Sequence, residues 1–169
     1  MTMKRYTFKR QVSIRRPLEE VFPLFSKPEN LELLTPRSLQ FQMLTPSPIS
    51  MKEGMLIDYV IRLFGASLRW TTCITEFRPP HAFVDVQLRG PYSFWHHTHT
   101  FQAAGENTLM TDVVRYAMPF GFLGRAAHRL FVERQLDAIF TYRERRITAI
   151  FDGLVPGPGA GPLSTHQSA

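Results

Sequence analysis

Between residues 55 and 117 the chain reverses four times, and none of the breaks is long enough for a crossover. Strand-like runs at 55–64, 67–77, 82–89, 92–102 and 108–117 are separated by Gly65-Ala66, Arg78-Pro79-Pro80-His81, Gly90-Pro91 and Gly105-Glu106-Asn107. All four breaks carry turn chemistry. A parallel connection needs about a dozen residues or more, so these runs can pair only as antiparallel hairpins. The strongest helical signal comes immediately afterwards. Pro119 and the Gly121/Gly124 pair stop the sheet, and from 125 to 151 there is neither Pro nor Gly. Val132, Leu136, Ile139, Phe140, Ile147, Ile150 and Phe151 lie on one helical stripe, which predicts an amphipathic helix of roughly seven turns.

The segment before the meander is mixed. Tyr6, Phe8, Arg10, Val12 and Ile14 share one face of a first strand over 6–14. Pro17 suits the first turn of a helix, Glu19 and Glu20 suit its positive end, and Leu18, Val21, Phe22 and Phe25 give it an apolar side. A second short helix is expected from Ser26-Lys27-Pro28, with Leu31 and Leu34 packing, and Thr35-Pro36 ends it. Leu39, Phe41 and Met43 alternate as a short strand, and 45–54 reads as loop. The order is strand, two short helices, about six further strands and one long helix. This predicts an α+β fold in which a curved antiparallel sheet of about seven strands wraps a long C-terminal helix. A cavity between sheet and helix would suit a small ligand. Residues 1–152 form one expected domain, and the Gly/Pro-rich stretch 153–169 reads as a disordered tail.

Composition removes several function classes. The single cysteine, Cys73, excludes an internal disulfide and any thiolate-rich metal site within one chain; its place mid-strand reads as structural. No apolar run of about 18 residues is present, and no signal-peptide core follows the first charged residues, so a cytoplasmic home is expected. The net charge of +6 is scattered over Lys9-Arg10, Arg15-Arg16 and Arg143-Arg145-Arg146. No nucleic-acid motif accompanies it, so a solvated surface and no nucleic-acid partner are expected.

Four motif blocks resemble one bacterial branch of the START-like (Bet v 1-like, helix-grip, SRPBCC) superfamily. They are LLTPRSLQFQML (33–44), GMLIDYVIRLFG (54–65) followed by Trp70, RPPHAFVDVQLRGPYSFWHHTHTF (78–101) and MTDVVRYAMPFGFLG (110–124). The likeness covers residues 4–151. The branch is described as ligand-binding or cyclase/dehydrase-like, and the wider superfamily includes lipid carriers, plant hormone and allergen proteins, and polyketide cyclases. The resemblance implies the helix-grip fold and a small hydrophobic or amphipathic partner molecule. It names no substrate and no cofactor.

Half of the six histidines fall within residues 96–99. On a strand, Trp95, His97, His99 and Phe101 share one face and match the branch pattern W-x-H-x-H-x-F, while His96 faces the other way. Asp112 falls on the same face as the His pair, opposite His99 if 104–107 form a four-residue turn and opposite Phe101 if the turn is only Glu106-Asn107. Asp85 and Gln87 share a face with Phe83 on the preceding run. Three readings stay open for His97 and His99: hydrogen-bonded structural residues bracing Asp85 and Asp112, the polar lining of a ligand pocket, or two ligands of a metal with Asp112 as the best candidate for the third. Within the last two, a histidine beside Asp112 would serve as a general base. Arg143 interrupts the apolar stripe of the long helix, where an arginine is costly unless paired or snorkelling. The branch pattern IF-x-x-R favours a partner, either Asp85, Asp112 or a ligand carboxylate. Tyr59 and Tyr116 face inward and would offer a hydroxyl to a ligand or pack in the core; Trp70 reads as packing. The apolar segment 118–124 reads as a lid, a membrane-touching patch or plain packing.

The candidate ligand-binding set is therefore Tyr59, Asp85, Gln87, Trp95, His97, His99, Phe101, Asp112, Tyr116 and Arg143, with His97, His99 and Asp112 as catalytic candidates. The leading expectation is binding of a small, largely apolar molecule. The alternatives are a cyclase, dehydratase or isomerase acting on a polyketide-like carbonyl compound, and an adaptor whose polar cluster is structural. Either a monomer or a homodimer is compatible with the sequence.

Overall fold

A computed structural model describes residues 3–63 and 65–158. Its sheet is built from β1 (Arg5–Ile14), β2 (Gln42–Met43), β3 (Leu56–Leu63), β4 (Ala66–Arg78), β5 (Ala82–Arg89), β6 (Phe94–Ala104) and β7 (Asn107–Ala117). The spatial order is β1-β7-β6-β5-β4-β3-β2, and every neighbouring pair is antiparallel. The short breaks force the β3-to-β7 meander. The first strand then pairs with the last, Arg10 opposite Asp112, which places β1 at the far edge from β2. Between them the chain crosses the concave side through α1 (Leu18–Phe25) and two short 3-10 turns at Pro28–Leu31 and Arg37–Leu39. Two register irregularities in β4, at Thr71/Thr72 and Ile74/Glu76, bend the strand as an extra residue does and help the sheet curl.

The helical end is more divided than its stripe predicts. α2 (Gly121–Ala127) leads into a π turn at His128–Val132 and then into α3 (Glu133–Phe151). Gly124 starts no break; it lies inside α2. A Cβ there would collide with the Pro119 carbonyl oxygen, so only glycine lets the first turn fold back this closely. The π turn brings the His128 ring onto Tyr6, with 3.5 Å between centroids, and its Nε2 2.9 Å from the Tyr116 hydroxyl. The second predicted strand shrinks to Gln42–Met43 because Leu39 closes a 3-10 turn and Gln40 takes a left-handed conformation. The second predicted helix is a single 3-10 turn. Phe64 and the tail from 159 onward lie outside the described residues.

Two apolar clusters fill the space between sheet and helices. One packs α1 against β5, β6 and β7 through Phe22, Phe25, Phe83, Phe101 and Met110, with Ile147 of α3 closing it. The other packs Leu136 and Phe140 of α3 against Val114 and Tyr116. Arg10 faces inward on β1 and is held by α3: its guanidinium donates to Thr141 Oγ1 at 2.7 Å and Asp137 Oδ1 at 3.1 Å. No described helix is long and apolar enough to cross a membrane.

Candidate functional site

Antiparallel register assembles the site from three adjacent strands. His99 lies directly opposite Asp112 on β7, and His97 directly opposite Asp85 on β5. The turn therefore runs from Ala104 to Asn107, and all four side chains emerge on the concave face. There they form a ring. Asp112 Oδ1 lies 2.8 Å from His97 Nε2 and 2.8 Å from His99 Nδ1, the latter off the hydrogen-bond axis. Asp85 Oδ2 lies 2.9 Å from His99 Nε2 and 3.5 Å from His97 Nδ1. The two imidazoles stack with centroids 3.7 Å apart, and Phe83 covers His99 at 4.0 Å. His97, His99 and Asp112 are buried, and Asp85 is nearly so.

Proton economy follows from these distances. A carboxylate only accepts, and a neutral imidazole has one N–H. His99 has both nitrogens within 2.9 Å of carboxylate oxygens, which calls for two protons. His97 has one short contact, so it is neutral with its proton on Nε2, and its lone pair at Nδ1 keeps the longer distance from Asp85. The titration preferences agree. For His99, burial pushes the pKa down, but Asp112 and Asp85 more than offset it and hold it above the ordinary histidine value. For His97, burial and the neighbouring His99 win, and the pKa is lowered. Burial would raise both carboxyls. Hydrogen bonds from His97 and His99 hold Asp112 far below the usual range, and the hydrogen bond and charge of His99 lower Asp85. Two carboxylates and one imidazolium leave one negative charge on the ring, which Arg143 meets only through space and not as an ion pair.

This ring forms the polar end of a cavity of about 160 Å³. The walls are apolar, from Leu31, Phe41, Ile57, Ile61, Trp70 and Ile139; Asp85, His97, His99, Tyr59, Trp95 and Arg143 also reach the space, and Asp112 stands behind the histidines. Two of the lining groups lack partners. The buried Nε of Arg143 has no hydrogen bond, and its guanidinium makes no ion pair among the described residues, resting instead 4.9 Å from the Phe140 ring. The buried indole Nε1 of Trp70 is likewise unpaired. The Tyr59 hydroxyl lies 3.4 Å from Thr72 Oγ1, and burial pushes its pKa up, so it stays a neutral donor.

Three sequence candidates fall elsewhere. Gln87 ties the turn before β6, donating to the Tyr92 carbonyl at 2.7 Å. Phe101 is core beneath α1, and Tyr116 bonds His128; neither lines the cavity. Trp70 and Thr72 are lining residues that the sequence reading misses. Their alternation with Ile74 puts all three on the inner face, but an unpaired indole is visible only once its neighbours are placed. The segment 118–124 does not line the cavity; Phe120, Phe122 and Leu123 are exposed instead.

No protein-family model matches the chain, and no curated protein matches it. Solved structures do. It is similar to the Zhui aromatase/cyclase from a Streptomyces species, with a TM-score of 0.71 at 12% identity over 94% of this chain and 100% of that one. It is similar to a major latex-like protein from Panax ginseng, with a TM-score of 0.64 at 14% identity over 86% and 96%. It is also similar to a START superfamily protein from Mycobacterium smegmatis, with a TM-score of 0.65 at 12% identity over 88% and 99%. At these identities the likeness concerns the fold, and that fold is the START-like helix grip.

Proposed function

We propose that this chain, a helix grip of the START and Bet v 1-like kind, binds one small, largely apolar molecule with an anionic or strongly accepting head group. The observation that carries the reading is Arg143, which lines a mainly apolar cavity and whose guanidinium makes no ion pair among the described residues, with the unpaired buried indole of Trp70 in the same lining. A buried donor left unpaired costs about 1–3 kcal/mol, and more for a charged group, so an acceptor supplied by a ligand recovers that cost. Size narrows the class further. About 160 Å³ is small beside the ~300–1,000 Å³ of drug-sized pockets, which favours a single-ring or two-ring compound over a two-chain lipid. The START-like and latex-like neighbours make a ligand-holding cavity reasonable for this architecture.

The test is a fluorescence titration with 2-naphthoic acid and its neutral isostere 2-naphthamide. The acid should bind the wild type at least tenfold more tightly than the amide. Arg143→Met should remove that preference while leaving amide binding unchanged. Equal affinity for both in the wild type overturns the reading.

A second reading has its own support, since imidazoles line the same cavity. His97 carries its lone pair on Nδ1, the nitrogen turned away from Asp112, and Asp112 fixes the tautomer. On a 1,3-dicarbonyl compound it would take a proton from the central carbon while the electron pair moves onto a carbonyl oxygen facing Arg143. Enzyme-dependent deuterium exchange at that carbon, lost in His97→Gln, supports it; exchange no faster than in buffer removes it.

A further inference from the structure

We propose that Asp85, His97 and His99 form a divalent-metal site at the polar end of the cavity, with Asp112 as the carboxylate that orients both histidines. Asp112 sets the arrangement of the two rings. One of its oxygens sits 2.8 Å from His97 Nε2 and 2.8 Å from His99 Nδ1. His97 bonds it through Nε2, His99 Nδ1 approaches it off the hydrogen-bond axis, and a cation between the rings and Asp85 would replace the proton on His99 Nε2. The remaining nitrogens, His97 Nδ1 and His99 Nε2, then both carry lone pairs, and both face Asp85 Oδ2. Three electron-pair donors converge, all within 4.8 Å of one another. Something positive has to lie among them. A single extra proton on His99 does so incompletely, because it serves one contact and leaves His97 Nδ1 facing an oxygen at 3.5 Å. A divalent cation serves all three.

The spacing fits. Around a tetrahedral Zn²⁺ with bonds of about 2.0–2.1 Å, ligand atoms stand about 3.3 Å apart. The two nitrogen-to-oxygen distances, 2.9 and 3.5 Å, bracket that value. The outer arrangement fits as well. A metal-bound histidine ordinarily donates its other N–H to a carboxylate, which fixes its tautomer and strengthens it as a ligand; buried Asp112 does this for His97 and lies 2.8 Å from the corresponding nitrogen of His99. The donors stand on adjacent strands of a sheet, with Phe83 stacked on His99, so they are held before any ion arrives.

Asp85, His97 and His99 reach the cavity and Asp112 does not, so a metal held by these three keeps its fourth position toward the ligand space. Two imidazoles and a carboxylate with an open position suit Zn²⁺, Co²⁺ or Fe²⁺ rather than Ca²⁺ or Mg²⁺. The charges suit an anionic guest. A divalent ion cancels the two carboxylates, Arg143 adds one positive charge, and a ligand oxyanion placed between metal and guanidinium closes the balance. The metal site itself stands independently of that guest, because it rests on the donors alone.

The experiment uses tag-free full-length protein, stripped with chelator and dialysed free of it, then titrated with CoCl₂ and ZnCl₂ in the absence of any organic compound. One ion per chain should bind, and bound Co²⁺ should show the visible ligand-field absorption of a low-coordinate site. His99→Gln and Asp85→Asn should each weaken binding at least about 100-fold. Asp112→Asn should weaken it about 10–100-fold with the stoichiometry kept. His81→Ala, an exposed histidine outside the site, should change nothing. A folded wild type that takes up neither ion overturns the proposal. So does Co²⁺ absorption that persists in folded His99→Gln and Asp85→Asn. Because naphthoate binding is measured separately on stripped protein, the metal site and the ligand reading can fail independently.

Discussion

Arg10 and Arg143 both reach inward between the sheet and α3, and they are treated differently. Arg10 on β1 is held by Thr141 and Asp137 of α3, with Glu144 3.9 Å from its Nε. Arg143, two residues beyond Thr141 on the same helix, has the Phe140 ring and no anion. Arg10 clamps the edge strand to the helix. Arg143 is held over the cavity with its charge unpaired, and the nearest opposing charge, the His/Asp ring, already satisfies most of its own contacts internally. A charge left uncompensated beside a cavity marks where a guest belongs, whereas a compensated one marks where the fold is fastened.

The sharpest way to break this contrast is to damage the ring. Asp112→Ala strips the acceptor from two buried imidazoles and should destabilise the fold by about 3–5 kcal/mol, read from urea unfolding. The pH dependence of the wild type tests the same group. The carboxyl of Asp112 is held below its ordinary value of 3.8, so the stability it contributes is complete above that value and is lost as pH falls through the lower folded value. The histidines pull in opposite senses. Lowered His97 costs stability as pH falls below 6.5, and raised His99 loses its contribution as pH rises through its folded value. In chelator, the urea midpoint should therefore fall steeply only in the acid range below about pH 4–5.

Smaller effects separate the two arginines. Arg10→Ala should cost about 1 kcal/mol, since its partners are partly exposed and one buried-side hydrogen bond to Thr141 is lost, and naphthoate affinity should be unchanged. Arg143→Met should leave stability within about 1 kcal/mol of wild type while abolishing the preference for acid over amide. If Arg143→Met destabilises as much as Asp112→Ala, Arg143 is a structural cation and the contrast collapses. The least effect is expected at Phe122, which is exposed and outside the cavity: Phe122→Ser should shift stability by no more than about 0.5 kcal/mol and leave affinity untouched.

Much of this architecture is legible in the amino-acid sequence. Short breaks dictate hairpins, and period-two alternation places Trp95, His97 and His99 on the inner face. Alternation also puts Asp112 on that face, but the turn at Gly105 leaves it opposite either His99 or Phe101, and the structure takes the first. What the sequence conceals depends on contacts between distant segments. Gly124 looks like a helix breaker until Pro119 is seen against it. The π turn exists where His128 meets Tyr6 and Tyr116. Gln87 shares a face with Asp85 in the alternation, but the following turn captures its amide. Alternation puts Asp85 on the right strand, yet its role as a bridge between two histidines emerges only when β5 and β7 flank β6.

The most direct test of a cavity whose cation awaits a guest is native mass spectrometry of freshly purified, chelator-treated protein, before and after incubation with 2-naphthoic acid. An adduct of small mass that leaves on unfolding, present in wild type and missing in Arg143→Met, is the predicted result. A bare chain under both conditions, or an adduct that Arg143→Met retains in full, would contradict the account.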